Sequence, residues 1–182
     1  LVDGAFYNAG QSCCGIERIY IADSIADDFI EAFASIARNY VLGDPLDPAT
    51  TIGPLVDEKS ADFVRNQVSA AKSQGARQIV GDGDFTIPDA SRCYLAPQVL
   101  VDVDHSMALM TEETFGPAIG IMRIENESEG IARMNDSDFG LTASIWSGDF
   151  DRASTLACEI EAGTVFANRC DYLDPALPWT GV

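Results

Sequence analysis

Basic residues are scarce here: 11 Lys and Arg stand against 29 Asp and Glu, a formal net charge of −18 with pI near 4.1. Lysine occurs only at Lys59 and Lys72, so basic patches can hardly form. That charge balance argues against nucleic acid and an anionic membrane surface as partners. Histidine is scarcer still, with His105 alone, set among acidic residues in VDVDHSM. One histidine makes a transition-metal site improbable and leaves no Ser-His-Asp or Cys-His arrangement to argue for; a capping or turn role suits it better. No apolar run is long enough to span a bilayer, and no charged start leads into an apolar signal segment. The sequence also has no GxGxxG, no CxxC and no internal repeat.

What is present suits a folded chain with a sizeable core: 182 residues, 47% hydrophobic. The cysteines are Cys13, Cys14, Cys93, Cys158 and Cys170. An odd number at irregular spacing is neither a secreted disulfide framework nor a zinc site, and a reducing cytoplasm fits best. The chain starts without methionine inside an apolar-periodic segment and stops at Gly181-Val182 after a Pro-rich loop, so both ends read as cut.

One early stretch organises the rest. Phe6 to Gly15 reads FYNAGQSCCG. Leu1, Val2, Ala5, Phe6 and Ala9 fall at helical spacing ahead of it, and Arg18 to Ala22 reads as a strand behind it. A helix that breaks at Gly10 just before a thiol sets that side chain at a tight corner open to close backbone approach. A thiol so placed can act as a nucleophile if a base or dipole activates it. The structural alternative is a pair of small core residues, the usual fate of free cysteine.

Further along, Asp23-Ser24 signals an N-cap for a helix to about Tyr40, with Ile25, Phe29, Ala32, Phe33 and Ile36 on its apolar face. Gly43 to Pro48 and Gly53-Pro54 fix a long Pro-rich connection. A second helix is predicted from about Glu58 to Gln74, burying Ala61, Val64, Val68 and Ala71 and stopping at Gly75. Arg77 to Val80 reads as a strand, and Gly81 to Asp84 as a surface turn rather than a metal loop. Tyr94 to Asp102 reads as extended, its proline placing it near a sheet edge or crossing. Ala118 to Ile124 reads as a strand, Glu127 to Asn135 as a helix with Ile131 and Met134 inward, and Asn135 to Ser147 as a turn at Gly140 into a buried strand. A helix from Asp149 to about Ile160 precedes a strand at Gly163 to Ala167. This alternation predicts an α/β fold: a largely parallel sheet flanked by helices.

Four blocks together resemble the aldehyde dehydrogenase superfamily: the nucleophile segment around Gly10-Gln11-Ser12-Cys13, EETFGP at Glu112 to Pro117, NDSDFGLTAS from Asn135, and GTVFAN from Gly163 with its following loop. The connecting block VLGDPLDPATTIGPLVD is similar to the family too. The resemblance covers nearly the whole chain and implies one nucleophile-bearing catalytic domain over residues 1–182. The family's dinucleotide-binding and oligomerisation elements, its Glu base and its oxyanion Asn would precede it. By position, Cys13 would attack an aldehyde carbon, giving a thiohemiacetal and then a thioester that water hydrolyses to the acid. The second Glu of EETFGP, Glu113, would hold the nicotinamide ribose and Phe115 the nicotinamide of NAD or NADP, with Glu112 structural. Asp171 and Leu173, with Arg169 and Tyr172 nearby, would line the aldehyde entrance. That loop departs from the family pattern, with Thr180 where a glycine is usual. The implied whole is a cytoplasmic, homo-oligomeric NAD(P)-dependent oxidoreductase acting on a small-molecule aldehyde, with no metal. Cysteine-dependent acyl transfer, a CoA-acylating enzyme, an inactive fragment and a non-catalytic interaction module stay open as alternatives. The chain by itself is expected to bind NAD(P)+ weakly, which calorimetry with NAD+ checks.

Overall fold

The computed structural model describes residues 1–88, 92–170 and 175–182, which divide into two compact units, Leu1–Arg123 and Ile124–Val182. The first is built on a four-stranded sheet of order β1-β4-β3-β2: β1 is Arg18–Ala22, β2 Arg77–Val80, β3 Gln98–Val101 and β4 Ala118–Ile124. β3 and β4 run parallel in register from Gln98↔Ala118 to Val101↔Ile121. β2 joins β3 antiparallel, with a bulge between Gln78 and Val80.

The period-two alternation of β3 explains why every residue in it is buried. Val99 and Val101 pack with Ile119, Ile121 and Val80 against Ala26, Phe33, Ala34 and Ala37 of helix α2, Asp23–Ala37. Leu100 points the other way, toward Ala61, Val64, Val68 and Ala71 of helix α3, Glu58–Ser73. A sheet covered on both faces needs strands that are apolar on both, which the run Val99 to Val101 supplies. The predicted face of α3 is the buried one, and Gly75 follows its C-cap at φ 114.

The structure corrects several sequence expectations. The strand containing QVLV is internal to the sheet, not at its edge, because Pro97 lies one residue before the first strand position and removes no ladder donor. The buried stripe of α2 is also rotated: Ile25, Ala32 and Ile36 are exposed, while alanines at 26, 34 and 37 let the helix approach the sheet closely. The helix ends at Ala37, short of Tyr40. Tyr40 instead turns back edge-on to Phe6 at 5.8 Å and donates to Asp3 at 3.3 Å.

The second unit is a βαβ arrangement. β5, Thr142–Ile145, and β6, Thr164–Ala167, pair in parallel on either side of helix α6, Phe150–Ala157. Helix α5, Glu127–Asn135, precedes them. β5 is half-buried, not buried as predicted; among the described residues it pairs with β6 alone. Ile131 and Met134 are likewise half-buried. Side-chain caps start three helices: Asp57 on Ser60, Asn126 on Glu129 and Asp149 on Arg152. Among the described residues no helix is long and apolar enough to cross a membrane.

Candidate active site

The site lies within the first unit and begins where helix α1, Val2–Phe6, stops. The break comes earlier than Gly10. Asn8, Ala9 and Gly10 take φ of 51, 56 and 72, three successive left-handed residues. A non-glycine residue there costs about 1–2 kcal/mol, so this corner must be held by its surroundings. Asn8 and Gln11 hold it from within: the Asn8 amide donates to the Gln11 carbonyl at 3.0 Å, and the Gln11 amide to the Asn8 carbonyl at 3.1 Å. Gln11 also reaches the loop that follows the Pro-rich connection, accepting from the Val56 N–H at 2.9 Å and donating to the Pro54 carbonyl at 3.4 Å.

The chain then makes a tight turn, closed by the Gly15 N–H on the Ser12 carbonyl at 3.0 Å. Cys13 and Cys14 occupy its two central positions and part company: Cys13 is exposed and Cys14 is buried. The Cys14 sulfur lies 3.4 Å from the Ser12 hydroxyl. Cys14 thus takes the place of a small core residue, while Cys13 faces solvent.

The acidic stretch a hundred residues later comes to this corner. After helix α4, Ala108–Thr111, the loop exposes Glu112, Glu113 and Phe115 and buries Thr114. Phe115 is 42% exposed and itself left-handed, at φ 47. Gly116 is packed so closely on Gly10 that a Cβ on Gly10 would collide with the Gly116 carbonyl. On its own Cβ side Gly116 meets Val64. Two glycines thus let a bent helix end and a turn share space that side chains would fill.

Glu17, which the sequence alone did not single out, and Arg18, the arginine that closes the nucleophile block, tie the segments together. The Glu17 carboxylate accepts from the Thr114 N–H at 2.7 Å and the Phe115 N–H at 2.9 Å, and the Arg18 guanidinium donates to the Met110 carbonyl at 2.9 Å. Burial pushes the Glu17 carboxyl above its ordinary value; those two N–H bonds and Arg18 pull it back only in part, and Glu113 adds a smaller push upward. The signal in the sequence was a charged pair, Glu17-Arg18, at the entry of an apolar strand, where one charge would ordinarily face solvent.

Arg169 is exposed on the loop after β6, in the second unit, and Asp171, Tyr172 and Leu173 lie outside the described residues. His105 pairs with the Tyr20 hydroxyl at 2.8 Å. Among the described residues no cluster of His, Cys, Asp and Glu could hold a metal ion.

Comparison with known proteins finds one family. The model described as "Aldehyde dehydrogenase family" matches residues 1–182. Betaine aldehyde dehydrogenase of Cereibacter sphaeroides is 35% identical over 179 residues, covering 98% of this chain and 36% of that protein. The NADP/NAD-dependent aldehyde dehydrogenase PuuC of Escherichia coli is 37% identical over 178 residues, covering 98% of this chain and 35% of its own length. The crystal structure of betaine aldehyde dehydrogenase from Staphylococcus aureus in complex with NAD+ superposes with a TM-score of 0.92 at 30% identity, covering 100% of this chain and 36% of that one. The chain spans about a third of the length of the relatives it matches.

Proposed function

This chain belongs to the aldehyde dehydrogenase family, and we propose that it supplies the nucleophile and part of the nicotinamide site of an enzyme oxidising an aldehyde to a carboxylic acid with NAD(P)+. The observation that carries the reading is the meeting of Gly10 with Gly116, which brings the exposed Cys13 turn and the Glu113–Phe115 loop into one place.

The loop fits a ribose and a flat heterocycle. Phe115 offers a partly exposed ring, and Glu113 offers an exposed carboxylate able to accept from a diol. When bound, the nicotinamide would supply the two-electron acceptor that aldehyde oxidation requires. Cys13 does the covalent work. Its thiol gives up a proton, a sulfur lone pair forms the S–C bond, and the carbonyl π pair moves onto oxygen. The oxygen pair would then re-form the carbonyl as the C–H bond breaks, its two electrons leaving as hydride to the bound nicotinamide, and the acyl group would rest on Cys13 as a thioester. Water adds to its carbonyl carbon, the C–S bond breaks, and the acid leaves with the sulfur regaining its proton. Cys14, buried in the same turn, packs and does not react.

The test is aldehyde-dependent NAD(P)H formation by the protein as its gene encodes it. Cys13→Ser is expected to abolish it and Cys14→Ser to retain most of it. Activity surviving in Cys13→Ser, or lost only in Cys14→Ser, overturns the assignment.

A further inference from the structure

Glu17 is a carboxylate for which the chemistry above has no use. It sits just past the cysteine turn, at the entry to β1, mostly out of water. Each of its oxygens takes a different donor: Oε2 the Thr114 N–H at 2.7 Å, Oε1 the Phe115 N–H at 2.9 Å. Two adjacent N–H groups aimed at one carboxyl offset part of the cost of burying its ionised form. The backbone so gripped is the one that needs it. Phe115 is held left-handed at φ 47, a conformation an aromatic residue rarely keeps unaided. The grip lies between Glu113 and Phe115, the two side chains that face outward, and buries Thr114 between them. Arg18 fastens the same loop further back, at the Met110 carbonyl. The stretch carrying the nucleophile therefore also carries the fastening of the second loop.

We propose that Glu17 is a positioning residue for the nicotinamide site: by taking the Thr114 and Phe115 amides on separate oxygens, it sets the directions in which Glu113 and Phe115 leave the backbone, and so where the cofactor lies beside Cys13. The inference rests on the reading of Glu113 and Phe115 as cofactor contacts. Glu17 touches neither substrate nor cofactor and exchanges no proton with them. It acts through the loop.

The first measurement needs no cofactor. Amide hydrogen exchange on the 182-residue chain compares the parent with Glu17→Gln and Glu17→Ala. In Glu17→Ala the Thr114 and Phe115 amides should exchange on the order of 10- to 100-fold faster, the loss of bonds to a charged acceptor, while Val99 to Val101 in β3 hold within about twofold. Glu17→Gln keeps one acceptor oxygen and turns an amide NH2, itself a donor, toward the other N–H, so it should fall between. The second measurement uses the protein as its gene encodes it: the KM for NAD(P)+ should rise about tenfold or more in Glu17→Ala, the KM for aldehyde should stay within about threefold, and Glu17→Gln should be partly restored. Unchanged exchange at Thr114 and Phe115 overturns the grip itself. Equal acceleration in β3 means a general loosening and overturns it as well. Faster loop exchange with an unmoved cofactor KM overturns the cofactor assignment of Glu113 and Phe115, and the positioning role with it.

Discussion

Replacing Gly10 with alanine probes the contact on which the site depends. Gly10 has φ 72, where an L side chain costs about 1–2 kcal/mol. The added methyl would also strike the Gly116 carbonyl. That obstacle is backbone and cannot rotate away, so the two segments must separate, at an overpacking cost of about 1–3 kcal/mol. Alanine stiffens the unfolded chain and offsets about 0.4–1 kcal/mol. The net loss is then about 1–5 kcal/mol, a large part of the roughly 5–15 kcal/mol that holds a domain together. Urea denaturation followed by far-UV circular dichroism should show it, and the melting temperature should drop on the order of 10 °C. Ala9→Gly is the paired control. Ala9 is left-handed at φ 56 and 1% exposed. Relief of about 1–2 kcal/mol of strain is opposed by a buried methyl worth about 0.8 kcal/mol and by glycine's extra unfolded freedom. That variant should stay within about 1 kcal/mol of the parent. Gly10→Ala as stable as the parent, or Ala9→Gly as damaging as Gly10→Ala, would refute the reasoning.

Two further outcomes follow from the same geometry. Iodoacetamide should label Cys13 well before Cys14, because one thiol faces solvent and the other is packed; mapping the adducts by mass spectrometry reads this, and faster labelling of Cys14 contradicts the turn. Stability should also depend on pH through Glu17. Its carboxyl is raised by burial and titrates with Arg18 and Glu113 beside it, so its contribution is fully present below the ordinary carboxylate value and is lost as pH rises through the raised one. The stability of the parent relative to Glu17→Gln should therefore fall as pH increases across that window, and a flat or rising difference counts against the buried carboxyl.

The local rules of the chain reached far. Period-two and period-3.6 apolar patterns located β1, β3, β4, α3 and α5, and Gly75 and Asp149 mark helix ends that the structure keeps. Local pattern misled where two apolar stripes overlap, as in α2, because which stripe turns inward depends on how closely a sheet must be approached. It misled again at Pro97, since a proline bars a central strand only when it sits at a ladder position.

Residue identity alone determined the α/β class and the chemistry on offer: a thiol after Gly-Gln, a carboxylate and a ring before Gly-Pro. Which of two adjacent thiols faces water, and that Glu17 reaches across nearly a hundred positions to fasten the loop carrying Glu113 and Phe115, only the tertiary structure decided. The physical reason is that exposure, close backbone approach and desolvation of a carboxylate arise between segments distant in the chain, and no local pattern encodes them.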